Sequence, residues 1–96
     1  MAAYVIYTAE VTDPDRYELY KAQAAPVVAA HGGSYIVRGG DIDVLEGGAP
    51  VGRTVILEFP TMQAARNWYD SDEYRAARTL RENAGRASAY IVDGTG

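Results

Sequence analysis

Arg53-Thr54-Val55-Ile56-Leu57-Glu58-Phe59, halted by Pro60, is the stretch that decides the fold. β-branched and aromatic residues fill it and no glycine interrupts it, so it reads as a strand. Residues 3–11, AYVIYTAEV, have the same character. In both segments apolar side chains fall on both alternations, whereas an antiparallel sheet with one wetted face shows polar residues at every second position. Something apolar must therefore cover each face.

Working outward, the first strand stops at Thr12-Asp13-Pro14, an N-cap followed by proline in a first helical turn. From Asp15 to Ala30, Tyr17, Tyr20, Ala24, Val27 or Val28, and then His31, recur at three- and four-residue steps. This predicts a helix over 14–31, kinked at Pro26 and stopped by Gly32-Gly33. Residues 34–38, SYIVR, form a second strand, and a long connection with Gly39-Gly40 and Gly47-Gly48-Ala49-Pro50 leads to the third. Thr61 and Ser71 cap two further helical segments over 62–84 with a break at Asp70-Ser71, and residues 87–93 supply a fourth strand. The order β-α-β-β-α-β predicts a single α+β domain over residues 1–96, a ferredoxin-like sandwich with a four-stranded antiparallel sheet. The second sheet face then calls for a homodimer joined through sheet faces.

Composition removes several functions. No cysteine is present, so disulfides, thiolate metal clusters and a cysteine nucleophile are excluded, and a reducing compartment is the expected home. The first residues lack a basic segment and a cleavage site, and no apolar run reaches the roughly 18 residues of a membrane span, so a soluble cytoplasmic protein with no membrane partner is expected. A net charge of −4 without a basic run argues against nucleic acid. The local group Arg75, Arg78, Arg81 and Arg86 reads as a solvated helix edge.

Asp13-Pro14 with Tyr17 and Tyr20, Gly32-Gly33, Arg38-Gly39-Gly40, Glu46-Gly47, Arg53, Glu58-Phe59-Pro60, Ala64-Ala65, Trp68-Tyr69, Ser71, Tyr74 and Arg81 stand in an order and spacing that resemble the domain of unknown function 1330 family. The resemblance runs from about Tyr4 to Gly94. Its most specific part is Trp68-Tyr69-x-Ser71-x-x-Tyr74; Asp72 stands where the family often has proline. It implies a dimeric α/β barrel in which two ferredoxin-like sheets face one another. It implies no settled chemistry, since relatives in the wider superfamily include cofactor-free monooxygenases, isomerases, cyclases, haem enzymes and plain binding proteins.

Few parts are available for chemistry. His31 is the one histidine and the one side chain with an ordinary pKa near neutrality, which makes it the candidate catalytic base; its place before Gly32-Gly33 equally suits a cation at a helix C-terminus. Arg38 ends the second strand and Arg53 begins the third, its expected hairpin neighbour, which brings the two near each other. They either hold a ligand carboxylate at a pocket rim or pair with Glu46 and Glu58. Tyr35 and Tyr74 are candidate pocket walls, with Tyr69 and Trp68 beside them, and the alternative for aromatic residues at helical spacing is core packing. Glu10 and Glu58, inside apolar strands, call for arginine partners. The glycine pairs of the long connection form neither a phosphate loop nor a dinucleotide fingerprint and read as turns or a flap. No metal and no cofactor are expected. The leading reading is a small-molecule-binding protein acting, without cofactor, on a small acidic or phenolic metabolite. The alternatives are a non-catalytic dimeric binding or interaction module, and haem binding through His31.

Overall fold

The computed structural model describes residues 1–95 and contains β1 (Ala3–Val11), α1 (Pro14–Ala30), β2 (Ser34–Arg38), β3 (Arg53–Phe59), α2 (Met62–Asp70), α3 (Asp72–Arg81) and β4 (Gly85–Asp93). All strand pairs are antiparallel and the sheet order is β2-β3-β1-β4. Ile6 stands between Ile56 and Tyr90 in the central register.

Local chemistry sets the ends of the helices. The Asp13 carboxylate accepts the Arg16 amide at 3.2 Å and Pro14 opens α1, while the Gly33 amide closes it on the Val28 carbonyl at 2.9 Å. The helix continues through Pro26 to Ala30. Pro26 and Ala22 are both exposed, so water reaches the carbonyl that the proline nitrogen leaves unbonded. Thr61 caps α2 by accepting the Ala64 amide. Ser71 ends α2 and starts α3 together: its hydroxyl donates to the Trp68 carbonyl at 2.7 Å and accepts the Tyr74 amide at 3.2 Å.

Burial alternates along the central strands. Val5, Tyr7 and Ala9 of β1 and Val55, Leu57 and Phe59 of β3 point into the core, where they meet Tyr17, Tyr20, Ala24 and Val28 of α1 together with Trp68 and Tyr74. Tyr4, Ile6, Thr8, Thr54, Ile56 and Glu58 take the opposite face, which no helix covers. Glu58 stands across from Tyr4 there and Glu10 across from Arg86, and among the described residues neither carboxylate has an ion pair.

The expected barrel is corrected by the sheet itself. The sheet is open, with β2 and β4 as edges, and it does not close. Closure requires the last strand to return to the first, and four strands, one of them only five residues long with a register shift at Tyr35/Val37, do not turn far enough.

Candidate functional site

Between the inner sheet face and the helices lies a cavity of about 30 Å³ lined by phenols and cations. β1 supplies Tyr7, α1 supplies Tyr17, Tyr20 and Lys21, and β2 supplies Tyr35 and Arg38. β3 adds Arg53, and Trp68 and Tyr74 close the far wall. The register shift between Tyr35 and Val37 of β2 turns both Tyr35 and Arg38 to the inner face, opposite Leu57 and Val55 of β3, and α1 presents Tyr17 and Tyr20 one turn apart.

The phenols bond one another. Tyr20 and Tyr74 share a hydroxyl bond of 2.7 Å, and Tyr7 and Tyr17 one of 3.3 Å. Burial pushes the Tyr7 phenol up from its ordinary value near 10, and the bond to Tyr17 adds to this. Burial raises Tyr20 in the same way, reinforced by Tyr74, and it raises Tyr35. At neutral pH these groups keep their protons and offer hydrogen bonds. They do not serve as bases.

The cations gather at one end. The Arg38 guanidinium lies 4.2 Å over the Tyr35 ring, and that of Arg53 lies 5.6 Å from the Tyr17 ring. Gly39, at φ 74°, bonds its amide to the Thr54 carbonyl and lets Arg53 lie against the loop, since a Cβ there would stand 2.7 Å from the guanidinium. Lys21 is neutralised by Glu18 at 3.0 Å. Among the described residues Arg38 and Arg53 have no carboxylate partner, and no Asp or Glu lines the cavity. A chain of net charge −4 therefore keeps two unpaired guanidinium groups over an apolar, phenol-rich hollow. That arrangement attracts an anion with a flat body.

Tyr35, Arg38, Arg53 and Tyr74 are thus brought to one cavity. His31 is not with them: it caps α1, its Nδ1–H donating to the Val27 carbonyl at 2.9 Å, and it lines neither this cavity nor the cleft beside α2. That second cleft, about 600 Å³, lies open between α2 and β4 and is bordered by Met62, Gln63, Arg66, Trp68, Tyr69 and Tyr90. Three of its polar side chains already have partners: Arg66 pairs with Asp70, Gln63 bonds Asn67 and Tyr69 accepts from Arg78 at 2.6 Å. Among the described residues no three His, Asp or Glu side chains gather as a metal site requires.

Sequence reasoning passed over Tyr7, Tyr17 and Tyr20 because their spacing is that of core residues, which they also are. The available signal was their hydroxyls, each of which needs a partner once buried.

The fold has many solved counterparts. A Rhodopseudomonas palustris protein of unknown function is 18% identical with a TM-score of 0.73, over 99% of this chain and 83% of its own. A dimeric ferredoxin-like protein of unknown function from Thermobifida fusca is 18% identical with a TM-score of 0.64, covering 96% and 90%. SnoaB, a cofactor-independent oxygenase from Streptomyces nogalater, is 13% identical with a TM-score of 0.63, covering 99% and 93%. At such identities the likeness is one of fold. No curated protein matches the chain. Residues 2–95 match the family described as Domain of unknown function (DUF1330), and the chain belongs to that family.

Proposed function

We propose that this protein binds a small acidic or phenolic aromatic molecule in the tyrosine cavity, in a cytoplasmic homodimer joined through the outer sheet faces. The observation that carries the reading is the meeting of two carboxylate-free arginines, Arg38 and Arg53, with the aromatic walls of Tyr35, Tyr74 and Trp68. The anionic group takes the guanidinium forks and the ring lies among the phenols. The closed cavity has room for about one water molecule, so the ligand enters by lifting Arg38 from the Tyr35 ring. Arg38 is exposed, and such a cation–ring contact costs only about 0.5–1 kcal/mol to break. His31 acts in this reading as a helix cap.

A catalytic version draws on the Streptomyces nogalater oxygenase. With Tyr7, Tyr20 and Tyr35 held protonated, the ligand would supply its own ionised oxygen, which Arg38 and Arg53 would favour.

Calorimetric titration with salicylate tests the binding. We expect binding that weakens with salt and falls about 10-fold or more in Arg38→Ala and Arg53→Ala, while His31→Gln stays within about twofold. Affinity unchanged in both arginine variants would refute the reading. Oxygen uptake with 1,4-dihydroxy-2-naphthoate, above the protein-free rate, would favour the catalytic version.

A further inference from the structure

Residues 39–52 join β2 to β3 without a helix or strand, and every residue from Ile36 to Gly52 is exposed. Among the described residues the backbone of 40–51 forms no hydrogen bond to other backbone groups. Connections of this length inside compact domains are uncommon and usually functional. This one also carries apolar side chains into water: Ile42, Val44 and Val51 are exposed, and Leu45 is 88% exposed. Between them stand Asp41, Asp43 and Glu46, none with an ion pair among the described residues.

The segment meets a need of the homodimer proposed above. At a rise of about 3.3 Å per residue and a strand spacing of about 4.8 Å, the whole outer face of the sheet spans about 500 Å². A stable interface takes about 800 Å² from each partner, and the twist of two sheets keeps their corners apart. The apolar side chains of the connection, which follow directly on the exposed Ile36 and Val37 of β2, supply the remainder.

Charge decides where the connection lands. On the outer face Glu58 lies level with Tyr4 near one end of the strands. Glu10 and Arg86 lie side by side near the other end, the one from which the connection leaves. Arg86 is the one cation on that face and has no ion pair among the described residues. Sheets that pack in alignment keep their strands within about 30° of each other, which leaves a two-fold axis along the strands or across them. An axis across the strands sets the connection of one copy over the Glu58 end of the other, acid against acid. An axis along them sets β2 over the second copy's β4 with like ends together, and the acids then meet Arg86 of the partner subunit.

We propose that residues 40–51 form an arm received by a second copy of this chain: Leu45 and its apolar neighbours extend the sheet-face contact, and Asp41, Asp43 and Glu46 lie against Arg86 of the partner subunit. This deepens the homodimer proposed above and rests on it.

Sedimentation over a dilution series tests the arm. Leu45→Ser should raise the dimer dissociation constant about 10-fold or more, while Leu19→Ser, at an exposed leucine of α1, should leave it within about twofold. Asp41→Lys, Asp43→Lys and Glu46→Lys together should weaken the dimer about 10-fold or more at low salt, as should Arg86→Glu. All four changes in one chain should recover most of the loss. These side chains are exposed, so circular dichroism should stay native throughout; should Arg86→Glu fail to fold, the arm reversal decides. A dimer indifferent to Leu45→Ser and to the arm reversal overturns the arm and leaves the sheet-face dimer standing. Losses that add instead of cancelling, or a dimer tightened by the arm reversal, overturn the contact with Arg86. A wild-type monomer at micromolar concentration removes arm and homodimer together.

Discussion

Tyr20, in the middle of α1, shows how a single side chain serves both packing and chemistry. Its ring belongs to the core, yet its hydroxyl must find Tyr74, and burial reinforced by that bond keeps the Tyr20 phenol from ionising. The consequence is visible in alkali. Tyr7, Tyr20 and Tyr35 have folded-state pKa values raised above 10 by burial first, so above pH 10 the unfolded chain loses protons that the folded chain retains. The unfolded state then binds fewer protons and stability falls with rising pH, by up to about 1.4 kcal/mol per pH unit for each such phenol. Urea midpoints should be flat from about pH 7 to 9 and decline steeply from about pH 10, with a shallower decline in Tyr20→Phe. A midpoint constant to pH 11 would contradict the assignment.

Among the elements, the entry to β4 leaves no room for a side chain. Gly85 has φ 147°, and a Cβ there would overlap the Glu10 carbonyl oxygen of β1, while the Ala84 carbonyl just before it accepts the Thr12 and Asp13 amides at 2.7 and 3.1 Å. The glycine lets α3 hand the chain to an edge strand directly alongside β1. Gly85→Ala should cost on the order of 3 kcal/mol in chemical denaturation, from backbone strain and overlap together. Gly48 is the control. It has open space around it, and Gly48→Ala should be neutral or stabilise by about 0.5 kcal/mol. Comparable losses at both positions would show that the β4 entry has no special constraint. Ser71, whose cap was readable from Asp70-Ser71-Asp72, was legible because both its bonds are local.

As a whole the molecule is a slab of 35 × 32 × 16 Å, one sheet and one helical layer. Its outer sheet face presents Ile6, Ile56, Tyr90 and Val92, the last two 59% and 44% exposed. An apolar face of this kind is what a second copy would cover, and a chain of 96 residues gains stability from doing so. Sedimentation at micromolar concentration should give twice the 10.4 kDa chain mass, and Ile56→Lys should return the monomer mass with native circular dichroism. A wild-type monomer at that concentration would remove the homodimer from the proposal.

The sequence by itself determined the elements, because the information for them is local. The unbroken β-branched and aromatic run in Arg53–Phe59, the caps at Asp13, Thr61 and Ser71, and Gly32-Gly33 each act within a few residues. It left Tyr35 and Arg38 on opposite faces of a regular strand, and only the register shift between Tyr35 and Val37 brings both to the inner face. Tertiary structure decided what long-range pairing decides: that the sheet stays open, that Glu58 and Glu10 turn away from Arg38 and Arg53, and that His31 caps α1 apart from the cavity. It also decided that Tyr7, Tyr17, Tyr20 and Trp68 line one hollow. Periodicity records which residues are buried, but whether a buried polar atom finds its partner depends on residues distant in sequence, such as Tyr20 and Tyr74, being folded to within one hydrogen bond.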